Sequence, residues 1–497
     1  MEKHSTIGLM ENHVGMANVM AMPGTGAHFV DHSHGNEMTR HKNKSVLVLG
    51  LGETGLSMVR WLSAQSARLR VADSRNAPPG LAQAAMYVAE EQIFCGNFND
   101  ALFDGIELIA ISPGVPLRDP AVERAIARGI EVVGDIELFA QSLPKDNHPR
   151  ILAITGANGK TTVTSMVEHL CKAAGKDTVA AGNISPAVLD VVLERGTNQP
   201  EVWVLELSSF QLETTSSLHA DAATVLNISE DHLDRYADMG EYSAAKARIF
   251  AGCSVQVLNR DDARCMSIAR KDCKTITFGL SKPDTEGDFG IERDGSEIWL
   301  MQGTQWLMKA SELQVTGLHN VANALAALAL SCAIDFPMSI LLDALRSFKG
   351  LPHRMERVAE IGGITYYDDS KGTNVGATIA ALQGLECKSV LIAGGDGKGQ
   401  DFSPLKPVVA QQTRAVVLIG RDAPLIEAAL GGSGVNVSRA ENMPDAVRQA
   451  TSLAQKGDAV LLSPACASFD MFRNYEHRAE VFVDAVREIS KGGSWRH

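Results

Sequence analysis

The sequence carries no excess of positive charge: Lys and Arg number 46 against 59 Asp and Glu, a formal net charge of −13. A basic surface able to coat a nucleic acid or an anionic membrane is thereby excluded, so any anionic ligand must be held by a local arrangement. Cysteine is sparse as well, 8 in 497 residues, scattered and without a C-x-x-C pair. A chain of this length needs no disulfide staples, and the cysteines read as reduced thiols in a cytosol. Long hydrophobic runs are also missing. The chain start, MEKHSTIGLMENHVGM, has no unbroken apolar stretch of the secretory kind. The most apolar helical stretch, residues 321–334, is interrupted by Asn323 and Ser331 and falls short of the roughly 20 residues a bilayer span needs. Together these absences predict a cytoplasmic protein with no nucleic-acid partner and no membrane insertion.

What is present is enough apolar material, 45% of the residues, for about three domains of ordinary size. Residues 1–43 show neither strand nor helix periodicity and read as a flexible N-terminal extension. His28, His32 and His34 lie close together there, but imidazoles in a mobile segment enclose no metal site. From Ser45 onward, short β-branched runs alternate with helical segments, the pattern of parallel sheets covered by helices. The first series comprises SVLVLG, LRVAD ending at Asp73, ELIAIS ending at Ser112 and IEVVGD ending at Asp135. A polar stretch, SLPKDNHPR, separates it from a second series (ILAIT, VWVLEL, AATVLN and an Ala-rich helix). A third series follows LPHR, with ITYYDD, SVLIAGG, AVVLIG and AVLLSPA. The expected architecture is α/β: three tandem α/β domains with mainly parallel sheets, spanning residues 44–147, 148–350 and 351–497.

Between a strand and a helix of the second series stands Thr155-Gly156-Ala157-Asn158-Gly159-Lys160-Thr161-Thr162. In that setting backbone N–H groups and a helix N-terminus can wrap a polyphosphate, with Lys160 on the outer phosphates and Thr161 reaching Mg²⁺. The P-loop spacing is imperfect, because Ile154 stands where the first glycine belongs. Downstream, Glu206 ends an apolar strand and is followed by Ser208 and Gln211; a carboxylate on that edge is placed to ligate Mg²⁺. His232 follows another strand and should emerge on the same edge. Lys246, in EYSAAKARIF, reads by itself as an exposed helix lysine. In the first series Gly50, Gly52 and Gly55 form G-x-G-x-x-G after a strand, and Asp73 ends the next one. By residues alone this is a dinucleotide fingerprint, and NAD its natural ligand.

The segments GANGKTT, LELSSFQLETTSS, NISEDHLDRY, EYSAAKARI, GLHNVANALAA, GLPHRME, DDSKGTNVGAT, GGDGKGQDFSPL and LLSPACASFDMFRNYEHR, in that order, resemble the Mur ligases, and within them the D-glutamate-adding branch. The likeness runs from Ser45 to the C-terminus. It implies a Rossmann-like first domain, a P-loop ATPase-like second and a Rossmann-like third. It also implies an ATP-dependent ligase of peptidoglycan precursor synthesis, which joins D-glutamate to UDP-N-acetylmuramoyl-L-alanine through an acyl phosphate and works as a monomer with two Mg²⁺ sites. A carboxylate is a poor acyl donor and its phosphate anhydride a good one, so the chemistry is coherent.

The same resemblance assigns Gly156, Ala157, Asn158, Gly159, Lys160, Thr161 and Thr162 to ATP, with Asn320, Asn323, Arg354 and Asp369. It gives Lys160, Glu206, His232 and Lys246 catalytic roles, and makes Thr161, Glu206, His232 and a carbamylated Lys246 the metal ligands. In place of NAD, the first domain would hold the UDP end of the substrate through Gly52, Thr54, Asp73, Ser74, Arg75, Ser112, Pro113 and Gly114, with Asn183, Ser208 and Gln211 along the remainder. Thr373, Lys398, Ser468 and Tyr475 match the contacts to D-glutamate, where Lys398 and the donors of a helix starting at Ser468 would clamp a carboxylate. Tyr475 departs from the family's phenylalanine and adds a hydroxyl there.

Overall fold

The computed structural model describes residues 40–144, 148–231, 235–385 and 387–491. His232 and the histidines of the first 39 residues lie outside the described residues. Residues 40–43 form a turn packed on the first domain, with His41 buried and the Asn43 N–H donating to the Ser66 carbonyl.

Three sheets organise the chain. The first is all parallel, in the order β3-β2-β1-β4-β5, from β1 (Ser45–Leu49), β2 (Arg68–Asp73), β3 (Ile93–Cys95), β4 (Leu108–Ile111) and β5 (Glu131–Val133). Its central strand is buried on both faces, as an apolar run flanked by helices must be. A Cβ on Gly55 would lie 1.8 Å from the Gly50 carbonyl oxygen, so only glycine lets the helix Glu53–Ala64 sit this close to the turn. The expected strand IEVVGD is shorter than anticipated. It ends at Val133, and Asp135 instead opens the helix Asp135–Ser142, because the Gly134–Asp135 pair starts a helix with acidic groups in its first turn.

The second sheet has the order β14-β13-β12-β11-β10-β9-β6-β8-β7, with β6 (Arg150–Thr155), β7 (Thr178–Gly182), β8 (Val202–Glu206), β9 (Ala222–Val225), β10 (Val255–Asn259), β11 (Lys274–Phe278), β12 (Phe289–Asp294), β13 (Glu297–Gln302) and β14 (Gln305–Lys309). Strands β6 to β11 are parallel, and β12 to β14 form an antiparallel edge. The Ala-rich helix Leu318–Cys332 packs on the helix Lys160–Ala173 that follows the glycine-rich loop. The third sheet, β15-β16-β20-β17-β18-β19, comprises β15 (Glu356–Ile361), β16 (Ile364–Asp368), β17 (Ser389–Gly394), β18 (Thr413–Ile419), β19 (Asn436–Arg439) and β20 (Ala459–Leu462), parallel except for β15. Inside it, the fully buried Arg478 guanidinium donates to the Ser370 hydroxyl and carbonyl and to the Cys466 carbonyl, tying two loops together. Burial lowers its pKa to about 10. Among the described residues every cysteine is a free thiol and no helix is long and apolar enough to cross a membrane.

The first two domains meet through buried polar groups. The Gln211 amide donates to Asp135 Oδ2 at 3.0 Å, and Glu137 accepts from the Ser216 and Ser217 N–H groups. Asp135 is 1% exposed, and burial pushes its pKa up to about 6 despite the Gln211 hydrogen bond. The folded state therefore binds more protons than the unfolded one from the ordinary carboxylate range up to pH 6. Stability falls as the pH rises through that window, and above it the ionised group costs on the order of 2 to 3 kcal/mol. Asp135→Asn keeps an acceptor for Gln211 and is expected to be more stable than the parent at pH 8 and similar to it at pH 4, as read by urea unfolding at both pH values.

Candidate active site

The loop between β6 and the helix Lys160–Ala173 is built by backbone geometry. Gly159 is the N-cap at φ +83°, and no side chain caps the helix, so its first N–H groups point outward for an anion. A Cβ at this position would lie 2.7 Å from Asn323 Oδ1, so only glycine admits the close approach of the Asn323 helix. Lys160 Nζ is folded back on the Gly156 and Ala157 carbonyls, at 2.8 and 3.0 Å, and does not extend beyond the loop. Burial lowers its pKa, while Glu206 and Asp231 act in the opposite direction.

Glu206 ends β8 and is 2% exposed. Its Oε1 accepts from Asn183 Nδ2 at 2.9 Å, and its buried Oε2 has no hydrogen-bond partner among the described residues. An orphaned carboxylate oxygen beside a phosphate-type loop is a donor fit for a hard divalent cation. Lys246, expected on an exposed face, is instead 2% exposed on the helix Met239–Ala247. It donates to the Gly156 carbonyl at 2.9 Å and lies 4.6 Å from the Tyr242 ring centroid. Burial, then the nearby Lys160 charge, holds its amine far below the ordinary lysine range.

Around this centre lie three cavities. The first, about 620 Å³, is lined by Gly52, Thr54, Asp73, Ser74, Arg75, Ser112, Pro113, Gly114, Asn183 and Gln211, from the first two domains. Asp73 does not face it with a free carboxylate. It accepts from the Leu51 N–H and from the Arg75 Nε and Nη2 groups at 2.6–2.8 Å. Burial acts to raise its pKa, but these donors outweigh it and hold the carboxyl low. Gln211 is similarly engaged, with Asp135 on its amide and Ser208 on its carbonyl. The second cavity, about 160 Å³, is lined by Asn158, Gly159, Thr162, Asn320, Asn323, Arg354 and Asp369. Burial pushes Asp369 up to about 7, against the Ser463 hydroxyl and Arg354. The third, about 920 Å³, gathers Lys160, Thr161, Glu206, Ser208, Lys246, Thr373, Lys398 and Tyr475. It shares Asn183 to Ser185 with the first cavity, and Asn158, Gly159, Arg354 and Lys371 with the second, so the three form one trough.

The third domain reaches into this trough directly. Arg354 Nη2 donates to the Thr161 hydroxyl at 3.0 Å, and Asn374 Nδ2 donates to Asn158 Oδ1 at 3.0 Å. One expectation needs correction. No helix begins at Ser468: residues 468–472 form a tight turn, and the last helix starts at Tyr475. Ser468 is buried and does not line the trough, so the clamp cannot use helix donors there. Lys371 and His353 are among the lining residues that escaped sequence reasoning. Lys371 lies 3.7 Å from the Tyr475 ring centroid, with its pKa lowered by burial to about 8, and His353 lies beside it. Lys371 stands inside the DDSKGTN segment, between Asp369 and Thr373, the two residues of it to which the resemblance gives roles.

Fold and trough define a nucleotide-dependent ligase built across three domains, and the chain belongs to the Mur ligase family. The family's MurD-like N-terminal, middle and glutamate ligase domain models match residues 44–134, 154–331 and 353–466. Among curated relatives, a UDP-N-acetylmuramoylalanine--D-glutamate ligase of Nitrosomonas europaea is 57% identical over 460 residues, covering 91% of this chain and 98% of that one. Its counterpart in Methylobacillus flagellatus is 58% identical, covering 91% and 99%. A solved UDP-N-acetylmuramate-alanine ligase from Thermotoga maritima shares the fold at TM-score 0.56 and 20% identity, covering 90% of this chain and 99% of that one.

Proposed function

We propose that the protein joins D-glutamate to UDP-N-acetylmuramoyl-L-alanine with hydrolysis of ATP, through an acyl phosphate, in the synthesis of peptidoglycan precursors. The observation that carries this reading is the continuity of the trough from the first domain's cavity, past the glycine-rich loop and Glu206, to Lys398 and Tyr475. A long substrate laid along it would bring its acyl end, near Asn183, to the phosphate loop. The adenine nucleotide would enter from the Asn320 and Asn323 side. Asp73 acts as a shaping residue, holding both the Gly50 to Gly55 turn and Arg75, whose guanidinium faces the cavity.

Glu206 and Thr161 are the residues that would hold Mg²⁺ between the phosphates, and Glu206, His232 and carbamylated Lys246 would hold a second one. Bound there, Mg²⁺ supplies positive charge that lets two anions, a carboxylate and a phosphate, approach each other. The carbamate forms when the neutral Lys246 amine adds to CO₂ and loses a proton, and the burial of that amine favours the neutral form. Lys398, Thr373 and Tyr475 would receive the carboxylates of D-glutamate, with Lys371 adding a further cation. The same reading makes the protein a monomeric enzyme of the cytoplasm. The test is phosphate release from ATP with UDP-N-acetylmuramoyl-L-alanine and each of a series of amino acids. D-glutamate is expected to be turned over at least about a hundredfold better than L-alanine or meso-diaminopimelate. Preference for either of those would overturn the assignment.

A further inference from the structure

The incoming D-glutamate amine is an ammonium at neutral pH, and an ammonium has no lone pair with which to attack an acyl phosphate. Some group in the trough has to take a proton from it. His353 lines the 920 Å³ cavity together with Lys371, Thr373, Lys398 and Tyr475. Its Nδ1 lies 2.7 Å from Asp368 Oδ2, and no hydrogen bond occupies its Nε2 among the described residues. Asp368 is fully buried at the end of β16, and its other oxygen accepts from the Ser370 N–H at 2.9 Å. A buried carboxylate on Nδ1 fixes the tautomer with the proton on that atom and leaves Nε2 as the acceptor. The ring is also held from the backbone: His353 sits at φ +61°, its N–H donates to Glu356 Oε2 at 2.9 Å, and its carbonyl accepts from the Lys371 N–H. Its ring centroid is 6.2 Å from that of Tyr475. The ligand atoms of His353, Glu356 and Asp368 are close enough together for a metal, but each Asp368 oxygen already has a donor.

We propose that His353, oriented by Asp368, is the base that accepts a proton from the amine of the incoming amino acid. This rests on the ligase reading given above. One ammonium proton passes to His353 Nε2, and the nitrogen lone pair forms the C–N bond. The C–O bond to phosphate breaks, its electron pair leaves on the phosphate, and the second nitrogen proton goes to that departing group. His353 returns its proton to solvent through the open cavity. The charged and titratable groups around His353 are Asp368 from β16, Glu356 from β15, Tyr475 from the last helix, and Arg354 and Lys371 from the adjoining loops, both cations and anions.

The experiment separates activation from amine transfer. His353→Asn is the variant of choice, because asparagine tolerates the left-handed backbone and can still donate to Asp368, yet accepts no proton at neutral pH. Ligation of D-glutamate is compared with trapping of the acyl phosphate by hydroxylamine, which is already uncharged at neutral pH and needs no base. The expected result is a loss of about a hundredfold or more in kcat for ligation, with KM for D-glutamate little changed and hydroxamate formation within about twofold of the parent. The rise of the parent's kcat with pH that a base in its deprotonated form requires should disappear in the variant. Asp368→Asn has a single amide oxygen and cannot accept from both the Ser370 N–H and the His353 ring, so its amide turned to Nδ1 places the ring proton on Nε2; it should lose about a hundredfold or more in ligation and also spare trapping. Equal loss in both assays, or no loss in either, overturns the proposal. Parent enzyme that traps hydroxylamine but does not ligate D-glutamate would instead overturn the assigned function.

Discussion

Replacing Lys246 by alanine is expected to lower turnover about a thousandfold, and short carboxylic acids are expected to restore part of it. The size follows from removing the carbamate anion that would help hold the second Mg²⁺ against the reacting phosphates, on the order of 4 kcal/mol of transition-state stabilisation. The rescue follows from burial. Lys246 is 2% exposed beneath the glycine-rich loop, so truncation leaves an enclosed space that formate or acetate can fill with a carboxylate near the carbamate's place. Steady-state phosphate release with and without added acetate measures both. An alanine variant of full activity would remove the carbamate, and a crippled variant that no acid restores would assign Lys246 to packing under the loop.

Glu206→Gln should be comparably damaging, again about a thousandfold in kcat. The substitution is nearly isosteric, and the Asn183 amide at 2.9 Å can still donate to the carboxamide oxygen, so the fold and the first cavity should survive. What is lost is charge on the buried Oε2 atom, which has no hydrogen-bond partner among the described residues. The half-saturating Mg²⁺ concentration is therefore expected to rise, while KM for the UDP substrate changes little. A magnesium titration of phosphate release, with circular dichroism as a control for folding, checks this. If the variant kept the parental magnesium response, the carboxylate would belong to the Asn183 contact alone.

Much of this architecture was legible because its strands are short apolar runs, and runs buried on both faces announce parallel sheets. The setting of Lys160 between a strand and a helix, and of Glu206 at a strand's end, followed from the same pattern. Strand β3 was not readable, since its Phe94 and Cys95 are exposed. The hairpin between β12 and β13 did carry a signal, Gly295 at φ +60° after Asp294, and it went unread among charged neighbours. Within the site, local sequence could not reveal the burial of Lys246, which depends on the loop and Tyr242 lying over it. Nor could it reveal that Asp73 spends its carboxylate on Arg75, or that Ser468 begins a turn. His353 became visible only when β16 placed Asp368 under its ring.

The Arg354 guanidinium occupies the Thr161 hydroxyl from another domain, and Asn374 sits on the Asn158 side chain. A metal–nucleotide complex that takes that hydroxyl as a ligand would bring a second cation against the guanidinium, and their repulsion would turn Arg354 toward the incoming phosphates. Loading of the triphosphate would thereby be coupled to a repositioning of the C-terminal lobe. Kinetically, such coupling would favour an order in which the nucleotide arrives before the amino acid, if the pocket proposed for the amino acid forms on that lobe.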